Sequence, residues 1–290
     1  MNILILGGNG YIGSKVTRGL VSAGHSVVCT KRASSDLSRL EDIKDRIRWI
    51  PASVDGVEAA VQYMSFDHVL NLACNYGRSN GLYGDVIDAN IEFPLKVLDA
   101  VVESGTKNYL TIGTGLPDGL NMYSFSKKMF CEFGRFYVSK HHVNFSSLLL
   151  EMFYGADEPR NRFLPSIVSK MISGLPVEST IGTQHRDIIS SEDIVKAIMM
   201  VMESGLVGYH EIPVGTGDAP TISEILDFIW EETGKRSEVR KGAIPMREDE
   251  PDCVADTAVL KSIGEWNPRP WREGLSDMIR TMQSGGVKAL

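Results

Sequence analysis

The first residues constrain this chain most. An apolar run, Asn2–Leu6, stops at Gly7-Gly8-Asn9-Gly10-Tyr11-Ile12-Gly13, and a helical pattern over residues 11–23 begins inside those glycines and ends at Gly24. A short apolar run halted by glycine reads as a buried strand. Strand, glycine turn and helix in that order open a mononucleotide-binding unit. Gly7 permits the tight turn, Gly10 lets the backbone approach a pyrophosphate at the positive helix N-terminus, and Gly13 lets the helix pack close to the sheet. With Tyr11 and Ile12 these are the candidate dinucleotide-binding residues. A glycine-rich turn without a ligand would carry the same letters; the strand–turn–helix context favours the nucleotide.

The alternation continues downstream. Ser26–Thr30, Ile47–Ile50, Val69–Leu72, Tyr109–Ile112 and Phe145–Leu150 read as strands, with helical patterns over 85–104 and 122–141. Strands alternating with helices imply parallel pairing through right-handed crossovers, so the chain reads as α/β with a doubly wound parallel sheet. After residue 155 Pro, Gly and Arg become frequent, and helices are expected over 163–173 and 191–203. Thr221-Ile222-Ser223-Glu224 is a capping box that opens a further helix. Tyr209–Val214 reads as a strand returning to the sheet. The expected organisation is a dinucleotide-binding domain over 1–158, with 186–214 returning to it. A smaller, interleaved C-terminal lobe of 159–185 and 215–290 would take the substrate. At 290 residues and 43% hydrophobic, the chain can build both cores.

Several classes are disfavoured. The net charge is -7 and no Lys/Arg block exists, so no nucleic-acid footprint is expected. Cys29, Cys74, Cys131 and Cys253 lie far apart, without a zinc spacing or a disulfide framework, which points to no metal and a reducing cytoplasm. The N-terminus lacks the basic region of a signal peptide, and no apolar run is long enough for a membrane span.

The end of the second strand bears on the cofactor. Folds that prefer NAD place Asp or Glu there to bind the ribose 2′-hydroxyl. This chain has Thr30-Lys31-Arg32-Ala33-Ser34-Ser35. Lys31, Arg32 and Ser34 suit a 2′-phosphate, which a carboxylate would repel. NADP(H) is therefore the expected cofactor. In Tyr123-Ser124-Phe125-Ser126-Lys127, the tyrosine and lysine are four residues apart and share a helix face. A nearby ammonium lowers a phenol's pKa and makes Tyr123 a competent acid or base. Thr114, just beyond the Tyr109–Ile112 strand, can hydrogen-bond a reacting carbonyl. Taken alone, a Tyr/Lys pair at this spacing is ordinary helix surface.

The glycine loop, Asn71-Leu72-Ala73, Asp88-Ala89-Asn90, Lys107–Thr114, Tyr123–Lys127 and Arg186-Asp187-Ile188 occur in that order. Order and spacing together resemble the extended short-chain dehydrogenase/reductases, the NAD-dependent epimerase/dehydratase family of Rossmann-fold enzymes that act on nucleotide sugars. The likeness covers nearly the whole chain and reaches Ile263-Gly264-Glu265-Trp266-Asn267-Pro268, with Glu265 inserted relative to the family's Gly-Trp-x-Pro segment. It implies Thr114, Tyr123 and Lys127 as the catalytic set, with Tyr123 the acid/base and Lys127 also on the nicotinamide ribose. It places Leu72, Ala73 and Asn90 at the cofactor. Asn75, Phe163 and Pro165 fall at the substrate, and Arg186 and Arg247 at its diphosphate. A homodimer through helices near 90–104 and 124–140 is also implied.

Within the family the likeness points to sugar-nucleotide 4-ketoreductases, through Asn71–Gly77, Asp88–Asp99 and Gly242–Arg247. The dehydratases carry an Asp-Glu pair after the catalytic threonine, whereas here Gly115-Leu116 follows, and Gly115 cannot serve as the cysteine of the fucose-type epimerase/reductases. The expected reaction is NADPH-dependent reduction of a nucleotide-linked 4-keto-6-deoxyhexose. A 4-epimerase and a non-catalytic NADP(H) sensor stay open as alternatives. Gly115–Met122, between the threonine and the tyrosine, is shorter than the family's usual loop, and Leu149 stands where many members carry arginine.

Overall fold

A computed structural model describes residues 1–77, 83–248 and 250–285. In chain order the elements are β1 (Asn2–Leu6), α1 (Tyr11–Ser22), β2 (Ser26–Lys31), β3 (Arg48–Pro51), α2 (Val54–Tyr63), β4 (His68–Asn71), α3 (Gly84–Ile87), α4 (Phe93–Glu103), β5 (Asn108–Thr114), α5 (Met122–Lys140) and β6 (Asn144–Leu150). There follow β7 (Met152–Tyr154), α6 (Phe163–Ile172), β8 (Val177–Ser179), β9 (Ile188–Ser190), α7 (Ser191–Glu203), β10 (Tyr209–Val214), α8 (Ile222–Glu232), β11 (Val239–Lys241), α9 (Ala258–Ile263) and α10 (Trp271–Gln283). Two compact units result: Met1–Leu149 with Val195–Ile212, and Leu150–Ile194 with Pro213–Leu290.

The first unit holds a seven-stranded sheet in the order β10-β6-β5-β4-β1-β2-β3. The pairings within β1–β5 are parallel, as a strand–helix alternation requires. Their register lays Leu6 opposite Asn71, and Asn71 opposite Thr111. The strand order reverses between β1 and β4, which is where such sheets open a crevice. Leu4, Leu6, Val69, Val97, Val101 and Phe130 share one buried core.

Two local features set the helices that serve the site. The pattern expected as one helix over 85–104 is α3, a π-helical turn at Asp88–Glu92, and α4. Pro94 stands in the first turn of α4; it has no N–H to donate back, and the wider turn lies directly before it. Asn90, on that turn, is buried. In α5, a Cβ on Gly134 would collide with the Phe145 ring of β6, so glycine lets the helix sit close on the sheet. Phe145 in turn stacks on Tyr109, with centroids 5.4 Å apart.

In the second unit, α6, α8 and α10 bury Leu164, Val168, Ile225, Ile229, Leu275 and Ile279 against one another. β7 pairs with β9, and β11 with β8, both in parallel. Thr221 and Glu224 form the expected capping box: Glu224 N donates to Thr221 Oγ1 at 3.1 Å, and Thr221 N to Glu224 Oε2 at 2.8 Å. Asp187 is fully buried and organises the turn after β10. It accepts from Thr216 N at 2.8 Å, Thr216 Oγ1 at 2.7 Å and Gly217 N at 2.9 Å. Among the described residues no helix is long and apolar enough to cross a membrane.

Candidate active site

The site candidates of the first unit lie at the carboxyl ends of β1, β2, β4 and β5, on the first turn of α1, on the first two turns of α5 and, for Asn90, on the π-helical turn. Gly7 has φ +76°, and a Cβ there would come within 2.8 Å of the Ala73 backbone. The glycine turn therefore closes directly on the strand exit of β4. A Cβ on Gly13 would collide with the Gly7 carbonyl, so that glycine is demanded by the helix–turn contact. Gly10 differs. Its φ of -68° is open to any residue, and a Cβ would meet nothing of the chain nearer than 3.4 Å. The chain's own packing does not require glycine there; a ligand backed against the helix end would. α1 supports an anion at that point, because it has no acidic residue in its first turn and no side-chain cap. Tyr11 and Ile12 form that first turn, half-buried.

Lys31, Arg32 and Ser34 are all exposed. Lys31 Nζ lies 5.8 Å from the Trp49 ring centroid, and Arg32 N donates to Ser35 Oγ at 2.9 Å. Asn9 Nδ2 donates to Asp36 O at 3.1 Å and ties this loop to the glycine turn. Asp36 turns back on its own loop, accepting from Ser38 N at 2.8 Å and Ser38 Oγ at 2.9 Å, bonds that hold its carboxyl below the usual range. Arg39 and Lys15 place cations 5.3 and 5.4 Å from the Tyr11 ring centroid. The loop therefore gathers positive charge around the start of α1. Arg39 was not anticipated, because nothing in its spacing shows the return of the loop.

The catalytic candidates sit on β5 and α5. Thr114 is the last residue of β5, and its Oγ1 accepts from Leu116 N at 3.2 Å. Helix α5 begins at Met122 because Asn121 caps it: Asn121 Oδ1 accepts from Ser124 N at 2.9 Å, and Ser124 Oγ accepts from Asn121 N at 3.2 Å. The cap was not expected, although an Asn-x-x-Ser spacing is the kind of signal that marks one. Tyr123 thus lies in the first turn, and Lys127 one turn on. Lys127 is only 3% exposed, and among the described residues no carboxylate pairs with it. Burial pushes its pKa down, and the Cys74 and Cys131 thiols act weakly the other way.

Asn90 connects these parts. Its Oδ1 accepts from Asn75 N at 2.7 Å, and its Nδ2 donates to Asn75 O at 2.8 Å and to Ser126 Oγ at 2.9 Å. The Asn75 side chain is spent locally, donating to Asp85 O at 3.3 Å and accepting from Gly77 N at 2.9 Å. Leu72 and Ala73 are half-buried in the same strand exit.

The candidates of the second unit are disposed differently. Phe163 opens α6 and is 42% exposed, whereas Pro165 is buried. The Arg186 guanidinium pairs with Glu250 and donates to His185 O at 2.8 Å and Pro251 O at 2.5 Å. Glu151 nearby has its pKa pushed up to about 7 by burial and by Asp187, with Arg186 opposing. Arg247 is exposed, with no ion pair among the described residues.

The family model described as "NAD dependent epimerase/dehydratase family" matches residues 3–215. The chain belongs to that family. Among curated members, it is 27% identical to the CDP-abequose synthase of Salmonella typhimurium, over 97% of this chain and 98% of the relative. It is 26% identical to that of Salmonella muenchen, over 90% and 91%. Among solved structures, the UDP-glucose 4-epimerase of Thermotoga maritima, determined with UDP-glucose, superposes with a TM-score of 0.87 at 22% identity, covering 99% of this chain and all of that one. At that identity the likeness establishes the fold, a Rossmann-type sheet with flanking helices.

Proposed function

We propose that this protein reduces the 4-keto group of a nucleotide-linked 4-keto-6-deoxyhexose with NADPH, in the manner of a CDP-abequose synthase. The observation that carries the proposal is the Tyr123–Lys127 pair at the start of α5, with its lysine buried and, among the described residues, without a carboxylate partner. The near full-length likeness to CDP-abequose synthases supports the substrate class.

The glycine turn fits a dinucleotide, since Gly10 lacks a side chain for which the fold has room. Gly7, Gly10, Tyr11, Ile12 and Gly13 would hold the pyrophosphate. Lys31, Arg32 and Ser34 would take the 2′-phosphate, and Leu72, Ala73 and Asn90 would line the cofactor between β1 and β4. Bound there, a reduced nicotinamide would supply hydride to C4 of the sugar.

The chain's own residues manage the proton. Tyr123 Oη donates it to the C4 oxygen as charge develops there. Thr114 Oγ1 hydrogen-bonds the same oxygen. Both donors are worth more against an alkoxide than against a ketone, so they stabilise the transition state selectively. The Lys127 ammonium favours the phenolate left behind and would donate to the ribose hydroxyls of a bound cofactor. Asn75, Phe163 and Pro165 are proposed to contact the sugar nucleotide. Arg247 is proposed to bind its diphosphate. Arg186 is proposed at the same group, where it would exchange Glu250 for phosphate oxygens of similar geometry. A homodimer through α4 and α5 is consistent with Phe125 and Phe136 on α5, which are 48% and 58% exposed.

The deciding experiment offers CDP-, UDP- and dTDP-linked 4-keto-6-deoxyhexoses with NADPH. NADPH oxidation coupled to a 4-hydroxy product is expected. Protein that retains NAD through purification and interconverts 4-hydroxy sugars without net oxidation would identify a 4-epimerase instead.

A further inference from the structure

The ring of Tyr76 lies against that of Tyr123, with centroids 4.9 Å apart and planes at 33°. Tyr76 belongs to a loop without regular structure and is 40% exposed, so it is not a core residue. Yet the residue before it is held at two backbone atoms. Asn90 receives the Asn75 N–H and donates to the Asn75 carbonyl, as a neighbouring strand would. The same Asn90 amide donates to Ser126 Oγ, and Ser126 Oγ donates to the Tyr123 carbonyl at 2.8 Å. Asn90 and Ser126 are 2% and 0% exposed, so the two side chains that carry these bonds, and the bond between them, are shielded from water. One buried amide therefore registers the loop carrying Tyr76 against the helical turn carrying Tyr123.

We propose that Tyr76 is a positioning residue for Tyr123: its ring, registered through Asn75, Asn90 and Ser126, fixes the tilt of the Tyr123 phenol. The inference deepens the proposed function and rests on the proton-donor role given there to Tyr123. A phenol rotates about two side-chain bonds, and a proton donor works only within a narrow range of orientations. A tilted aromatic pair at this separation is attractive and restricts both rotations.

The test incorporates 3-fluorotyrosine into the full chain and records the fluorine spectrum without substrate. Loss of one of the nine tyrosine resonances in Tyr123→Phe assigns it. In Tyr76→Ala and Tyr76→Leu the Tyr123 resonance should shift and broaden, and Tyr76→Phe should restore it. Asn90→Ala should move it in the same direction with Tyr76 still present. With keto sugar and NADPH, Tyr76→Ala should lower kcat about two- to tenfold, the factor an aromatic pair is worth, without changing the NADPH dissociation constant. An unmoved Tyr123 resonance in both Tyr76→Ala and Tyr76→Leu overturns the inference. A moved resonance in a protein that reduces no keto sugar keeps the positioning role and sinks the proposed reaction.

Discussion

Replacing Lys127 with methionine should stabilise this protein while disabling it. The lysine is 3% exposed and has no carboxylate partner among the described residues. A buried ion costs several kcal/mol in lost hydration, and exchanging buried charges for apolar groups of like volume gains roughly 1–4 kcal/mol. A mid-range gain of about 2 kcal/mol raises Tm by roughly 4–8 °C in a chain of a few hundred residues. The pH dependence gives a sharper test. Burial lowers the folded-state pKa of Lys127, so the unfolded chain binds more protons as pH rises past that value. The destabilisation is fully present below the folded pKa and fades as pH climbs toward the unfolded value of about 10.4. Calorimetry on cofactor-free protein between about pH 6 and pH 10 should show the Lys127→Met advantage shrinking with pH. Titration with NADPH should show at least about a tenfold loss of affinity, the scale of one charge-assisted hydrogen bond. A variant that melts below the parent, or a gap constant across the pH range, would refute the reasoning.

Tyr123→Phe removes only the hydroxyl, and steady-state assays should show kcat falling by roughly two to four orders of magnitude with cofactor binding retained. Thr114→Val should cost less than that in the same assay. Arg32→Ala should cut the preference for NADPH over NADH by about 1.5–3 kcal/mol in binding titrations; an unchanged preference after both Arg32→Ala and Lys31→Ala would remove the 2′-phosphate assignment. Gly10→Ala should leave the unfolding free energy within about 1 kcal/mol of the native value but weaken NADPH binding roughly tenfold or more, whereas Gly13→Ala should cost about 1–3 kcal/mol by overpacking. Arg186→Ala should raise KM for the sugar nucleotide if its fork meets the diphosphate; a fall in Tm alone would assign the Glu250 pair a purely structural role.

Legibility in the sequence followed the range over which each determinant acts. β1, α1 and the glycine turn are written in consecutive residues, and the strand alternation is equally local, so the doubly wound sheet was readable. The capping box at Thr221 was readable for the same reason. What escaped has either a weak local signal or depends on residues meeting from afar. The smooth periodicity of 85–104 hides the π turn, because Pro94 alters the hydrogen-bond ladder without disturbing the apolar pattern. Helix α2 was missed because its buried face is small, with Val57 and Ala60 the buried positions, and its start depends on Ser53 accepting from Gly56 N at 3.1 Å. The approach of Tyr76 to Tyr123 has no sequence signal, since Asn90 creates it from a separate element. The pairing of Arg186 with Glu250 has no sequence signal, since it follows from the return of the chain near residue 250.

The parallel register sets the heights at which the candidate residues leave the sheet. Leu6, Asn71 and Thr111 stand side by side, so the chain leaves β1 and β4 at one height, and Gly7 meets the Ala73 backbone there. β5 does not stop at that row. It continues from Thr111 to Thr114, about 10 Å at the rise of a strand. Gly113 allows this extension: a Cβ there would come within 2.6 Å of Leu149 Cδ2 and Ser147 Oγ, so its absence lets β5 lie close against β6 above the crevice. Thr114 is thereby carried three residues beyond the row of Leu6, Asn71 and Thr111, and the Asn121 cap starts α5 so that Tyr123 falls in its first turn. Gly134, packed on Phe145, sets how closely that helix lies on the sheet. Lengthening α5 or shortening β5 by one residue would rotate or withdraw a single member of the set. The spacing of Thr114, Tyr123 and Lys127 is thus a consequence of strand length, cap position and one helix–sheet contact.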